Sequence, residues 1–368
     1  MPPFFCRRGG RGSPIAFPRA AAFIRAFLPR MTATSPDMTK PRPWWTWGHV
    51  LGLEAVLTAL VWLPLFAHAT AVRLRPGPFP FPPEYLLLGC AVWFVYAADR
   101  LMDGLMRGGP RGVRHVFAVR HWPLFTAAML AAAGVVAWLL GWHVREIVLS
   151  WGLKFAAVVA GYFVVTWLSR KSWAGMTAAG GLAGLLVIGL MQNAAGMVWL
   201  QLWRAVVAGF LITVVCMALR QPGMPAPWTL PRKLLGGLLF AAGTALIPCA
   251  HTERWPQLMT DSTVLIFGMV CALNSLGIRL HESTAPNLEH RILTVLHPWM
   301  LLTVLAGAGM EYMAADPWSR PLLLACGISA AMLLALHILR RRCSADALRL
   351  LADAAVILPA AAMLLWLR

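Results

Sequence analysis

The residues best placed to do chemistry are two carboxylates four positions apart, in the run Val95-Tyr96-Ala97-Ala98-Asp99-Arg100-Leu101-Met102-Asp103. On a helix that spacing stacks Asp99 and Asp103 on one face. Acids are scarce, 14 in 368 residues, and acids at the mouth of a membrane helix are costly unless something cationic is held there. Paired carboxylates are hard oxygen ligands suited to Mg²⁺. The connection that follows carries Arg107, Arg111, Arg114, His115, Arg120 and His121. Carboxylates that take Mg²⁺ beside Arg and His that take phosphate oxygens make a diphosphate site. The competing reading is structural: a carboxylate pair neutralised by Arg100 and Arg107 at the membrane surface.

Composition says what must position these groups. The chain is 59% hydrophobic and 12% charged, against about 25% charged for a soluble domain. It reads as an all-α, polytopic transmembrane bundle partnered by the lipid bilayer, with backbone polar groups satisfied inside helices. The net charge of +18 would suggest nucleic acid in a soluble protein. Here the basic residues flank apolar segments and set topology, and no basic face with interleaved aromatics lies outside them, so nucleic acid is not an expected partner. The seven Cys are scattered without a C-x-x-C pair, which indicates neither a disulfide framework nor a zinc site.

Residues 1–43 differ from the rest, with eight Lys or Arg against one acid, Asp37. They read as a basic tail, as an organellar transit peptide, or as an extension upstream of a true start at Met31 or Met38. Gly and Pro interrupt any amphipathic helix there, which favours tail or extension. Residues 44–368 form the membrane domain. Spans of about 20 apolar residues place eleven segments at 49–71, 85–105, 122–142, 148–168, 175–196, 200–219, 234–251, 262–280, 292–312, 320–339 and 348–367. Connections after even-numbered segments carry 16 Lys or Arg and those after odd-numbered segments six. The positive-inside rule then puts the N-terminus, the even connections and Asp99 with Asp103 in the cytoplasm, across what reads as a bacterial inner membrane.

The eighth segment ends Cys271-Ala272-Leu273-Asn274-Ser275-Leu276-Gly277-Ile278-Arg279-Leu280-His281-Glu282. Asn274, Ile278 and Glu282 recur every four residues on one helical face. Segment parity sets that face at the same end as Asp99. Elsewhere, Glu54 in the first segment is a default site hypothesis, with pairing to Lys154 as its structural alternative. Asn193 and Gln192 fit hydrogen bonds between helices, and the Gly-rich runs from Ala178 to Gly184 and from Gly236 to Gly243 fit close helix packing. His297-Pro298 marks a kinked helix start, and the Trp residues an aromatic belt.

The run from Tyr96 to Gly104 resembles the first aspartate-rich motif of the UbiA-type intramembrane prenyltransferases, Asn-x-x-x-Asp-x-x-x-Asp. Asp99 and Asp103 match its aspartates, and Val95 stands where the family has Asn. The Asn274 run resembles the second motif, with Ile278 in place of one aspartate and Glu282 in place of the other. The resemblance implies a bundle of nine to eleven helices, Mg²⁺ held by Asp99, Asp103 and Glu282, and catalysis by these with Asn274. It implies diphosphate contacts from Arg107 and Arg114, and from Arg232 and Lys233, a basic pair before a Gly-rich helix. In a nine-helix plan, segments five and six are an inserted pair. The implied partners are a prenyl diphosphate donor and a lipophilic, aromatic or other acceptor. Three functions stay open: prenyl transfer, a catalytically degraded relative that binds a prenyl diphosphate or serves as a scaffold, and a transporter. The first requires Asp99, Asp103, Asn274 and Glu282 to converge on one cavity.

Overall fold

The computed structural model describes residues 46–70, 82–106, 113–168, 229–253, 261–282 and 288–367. Among them there is no strand, and the chain is an all-α bundle. The helices are α1 (Thr46–Leu51), α2 (Leu53–Ala69), α3 (Pro82–Met106), α4 (Val113–Arg120), α5 (Trp122–Trp142), α6 (Glu146–Leu168), α7 (Thr229–His251), α8 (Ser262–Glu282), α9 (Leu288–Ala314), α10 (Arg320–Leu339) and α11 (Ala345–Trp366), with a 3₁₀ turn at Arg340–Arg342 between the last two. Eight of them (α3, α5 to α11) are long and apolar enough to cross a membrane; α2 is apolar but spans 17 residues.

The bundle has a centre and a rim. In α7 and α8, 61% and 50% of the apolar window is buried; in α5 and α6 the share is 11%. The outer two therefore keep apolar surface for lipid, while α7 and α8 are packed by protein. Lipid tails are as apolar as leucine, so close van der Waals fit drives this packing rather than water exclusion. Glycine provides the fit. A Cβ on Gly237 would lie 2.5 Å from the Gly268 carbonyl oxygen and 2.6 Å from the Ala272 nitrogen. The α7–α8 crossing thus exists because both faces are bare there, and the Gly-rich run of α7 has the packing role expected of it.

Helix α2 and the last helix, α11, also close on each other. Trp62 of α2 is fully buried; its indole N–H donates to the Val356 carbonyl of α11 at 3.1 Å. Its ring stacks on Phe267 of α8 at 4.1 Å. Other tryptophans behave as belt residues: Trp122, Trp142, Trp299 and Trp366 are exposed.

Nine of the eleven expected segments correspond to described helices; the fifth and sixth, with Gln192, Asn193 and the Ala178–Gly184 run, lie outside the described residues. Two details differ from expectation. The first segment is broken by Gly52, at φ +82°, where a Cβ would also meet the Arg100 guanidinium at 3.2 Å. And α9 starts at Leu288 and runs through Pro298. Proline removes one N–H, but neighbouring helices in a bundle tolerate the freed carbonyl, so it does not start the helix.

Candidate functional site

The end of α3 and the start of α7 meet at an ion pair. Asp99 Oδ1 accepts from the Arg232 guanidinium at 2.5 Å. Arg232 is mostly covered, but 37% of the Asp99 side chain is accessible. Tyr162 of α6 joins them, its hydroxyl interacting with Arg232 and Thr166. One residue on, Lys233 donates to the Ser275 hydroxyl of α8 at 2.7 Å. Asn274, beside Ser275, donates from Nδ2 to Asp353 of α11 at 3.3 Å. Five helices are therefore tied at one end through two adjacent pairs, Arg232-Lys233 and Asn274-Ser275.

Arg100 has a different job from the neutralising role considered for it. It is 4% exposed and donates to the Val50 carbonyl at 2.7 Å and to Glu54 Oε1 at 2.8 Å. It fastens α3 to α1 and α2. Glu54 accordingly pairs with Arg100; Lys154 is exposed on the lipid-facing α6. The Asp99 carboxylate takes its cation from α7, 133 positions away. A helical i, i+1 pair points in different directions, so Arg100 and Asp99 serve separate neighbours.

Tyr96, one turn before Arg100, keeps 37% of its surface accessible. It lies within electrostatic reach of Glu54, Arg100, Cys271 and Asp353, and edge-on to Phe240 at 6.2 Å. This is a polar patch inside an apolar bundle.

Of the expected site residues, the structure brings Asp99, Arg232, Lys233 and Asn274 to one end. Asp103, Arg114 and Glu282 sit on α3, α4 and α8, with side chains outside the described residues, and Arg107 lies outside them altogether. Asn274 and Ile278 line a cavity of about 180 Å³ between α8, α9, α10 and α11. Asp99 does not line it, so the two clusters share an end of the bundle but not this cavity. Ile278 is 8% exposed and packs in the main core. Its side chain could not hold a metal, and its burial explains why an apolar residue sits at that position.

For Mg²⁺, Asp99 is the described member of the expected ligand set. Its hard oxygens suit the ion, and its accessibility makes the guanidinium partner exchangeable. Among the described residues no group of three or more His, Cys, Asp or Glu is placed to hold a metal.

Two features escaped the sequence reading. Asp353 is an acid inside an apolar helix, which is itself the signal. The second is a buried pair at the opposite end of α3 and α7, where His251 Nε2 meets Glu84 Oε1 at 2.6 Å. Glu84 falls just before the expected 85–105 segment, and nothing in its neighbourhood points to a partner 167 positions away.

No family model, curated protein or solved structure matches this chain.

Proposed function

We propose that the protein is a UbiA-like membrane prenyltransferase, transferring an isoprenyl group from a prenyl diphosphate to a lipophilic acceptor at the end of the bundle that holds Asp99. The observation that carries this reading is the joining of Asp99 to Arg232 and of Lys233 to Ser275. Residues far apart in sequence thereby gather one accessible carboxylate and two cations beside an aromatic-lined interior. That is the inventory a metal-assisted diphosphate site needs. In this reading the site and the N-terminus face the cytoplasm of a bacterial inner membrane, as the Lys and Arg distribution implies.

The chain's own residues would act as follows. Arg232 turns from Asp99 to a phosphate oxygen, and Lys233 offers a second positive charge. Asp99, released, serves with Asp103 and Glu282 as the ligand set for Mg²⁺, and Arg107 and Arg114 extend the phosphate grip. The ion, when bound, stabilises charge on the departing diphosphate. Tyr96 and Phe240 present aromatic faces to an allylic cation. Asn274 and Asp353 border the far wall.

A second reading has a specific observation in its favour. Ile278 is buried and Asp99 is clasped by Arg232, so the ligand set is thinner than a two-metal site requires. A relative that binds a prenyl diphosphate without turnover fits this. A transporter is the third reading, and no described feature favours it.

Purified protein in nanodiscs, given Mg²⁺ and radiolabelled farnesyl diphosphate, decides among them. Saturable binding lost in both Asp99→Asn and Arg232→Gln supports the assigned site; unchanged affinity in both rejects it. Diphosphate release coupled to a prenylated lipid-soluble phenol or alcohol establishes transfer, and binding without release leaves the non-catalytic reading.

A further inference from the structure

The cavity between α8, α9, α10 and α11 meets the prenyl-transfer site at Asn274, and that reading leaves the rest of its wall unused. Its polar wall consists chiefly of Asn274, His290, Thr294, His297, His337 and Arg340, with His281 beside them, and among the described residues no Asp or Glu lines it. Leu273, Leu333, Leu336 and Leu348 supply the apolar remainder. Its volume, about 180 Å³, compares with about 30 Å³ for a water in the liquid. It accommodates a group larger than one solvent molecule.

The hydrogen bonds of this wall fix what each group can offer. His297 approaches α8 closely because Gly277 has no side chain; a Cβ there would lie 3.2 Å from the ring. The Leu273 carbonyl is only an acceptor, so His297 Nε2, 3.0 Å away, carries a proton. Arg340 is only a donor, so His337 Nε2, which it contacts, is an acceptor. His337 Nδ1 therefore bears the proton and donates to His297 Nδ1 at 3.0 Å. Both ends of the relay give the same answer: two neutral rings in fixed tautomers. Among the described residues of this wall, Arg340 brings a permanent positive charge.

Two further atoms are unanswered. Asn274 Oδ1 and Thr294 Oγ1 are buried and have no hydrogen-bond partner. Asn274 uses its Nδ2 on Asp353, which leaves Oδ1 needing a donor. Buried polar atoms without partners are costly in a membrane interior. A ligand that suits this wall must accept from a cation and a hydroxyl, and must also donate a hydrogen bond to Asn274.

We propose that this cavity binds hydrogen phosphate or the singly protonated form of a phosphate monoester, with Arg340 and Thr294 contacting the anionic oxygens and Asn274 Oδ1 accepting the P–OH hydrogen bond. A protonated phosphate is both acceptor and donor. A sulfate at neutral pH has no proton to give, and a carboxylate likewise. The leucines would shield the ester carbon of a lipid phosphate. The proposal shares Asn274 with the prenyl-transfer reading but does not involve Asp99 or Arg232.

The test uses full-length protein in phosphatidylcholine nanodiscs with radiolabelled inorganic phosphate, and in nanodiscs containing phosphatidate. Binding of either probe, weakened about tenfold by Arg340→Gln and about threefold by Thr294→Val, supports the site. Thr294→Val should also leave thermal stability unchanged or raised without ligand, since it removes an unpaired buried hydroxyl. Arg232→Gln should leave phosphate affinity unaltered. Displacement of inorganic phosphate by phosphatidate identifies a lipid headgroup as the occupant; failure to displace identifies free phosphate. The proposal is overturned if neither probe binds, if sulfate binds as well as phosphate, if Arg340→Gln binds normally, or if only Arg232→Gln loses affinity.

Discussion

Helices α3 and α7 carry an acid–base pair at each end, and the two pairs differ in the property that matters. At one end Glu84 and His251 are 6% and 5% accessible at the side chain. At the other, Asp99 is 37% accessible against 11% for Arg232. A buried pair has no water to fall back on, so losing one partner strands the other. An accessible pair can trade its partner for solvent or for a ligand at little cost. The same two helices are thus pinned at the Glu84 end and left exchangeable at the Asp99 end, where the proposed substrate enters.

The largest effect should come from breaking the pinned end. Glu84→Ala should cost about 3 kcal/mol, because His251 then lies buried without its partner. Replacing both residues with leucine should recover most of that loss, and thermal inactivation in detergent measures both. Full stability in Glu84→Ala would show that burial does not distinguish the two ends.

At the Asp99 end, packing should matter more than charge. Gly237→Ala drives a Cβ into the α8 backbone, and overpacking of this kind should cost about 2 kcal/mol. Asp99→Asn should cost about 1 kcal/mol or less, while abolishing binding of the diphosphate donor. A stability loss in Asp99→Asn larger than in Gly237→Ala would invert the comparison.

The smallest effect concerns the turn between α9 and α10, at the same end as Glu84. Burial works against ionisation of Asp316, but it is outweighed by the Ser319 hydroxyl and the N–H groups of Ser319 and Trp318, which hold its carboxyl below the usual range. The depressed value means that this turn contributes stability above the unfolded carboxylate pKa. The contribution fades as pH falls through the lowered folded value. Asp316→Asn should remove that acid dependence with a small loss of stability at pH 7, read from melting curves across the acid range. An unchanged acid limb would show that these bonds do not act on the carboxylate.

How far the sequence carried depends on the kind of contact. Long apolar runs reported themselves, so helices such as Trp122–Trp142 and Arg320–Leu339 begin and end where hydropathy placed them. Asp99 was visible as a rare acid. Arg232 was expected as a phosphate contact, but its pairing with Asp99 was not legible, because nothing in the sequence lays α7 beside α3. The Arg340–His337–His297 relay was equally hidden, since a histidine in an apolar helix shows neither its tautomer nor its neighbour. Val95 and Ile278 depart from the motif; only burial gives Ile278 its structural reason.

Composition and apolar periodicity by themselves determined that this chain is a helical membrane bundle, and which acids are too rare to ignore, because the bilayer punishes unpaired polar groups one segment at a time. Tertiary structure alone decided which charges meet. It made Arg100 a structural clamp on Glu54, made Arg232 the keeper of Asp99, and turned Asn274 toward Asp353. The physical reason is that an ion pair is settled by the approach of two helix faces, and that approach is set by bare glycines and ring stacking far from either charge.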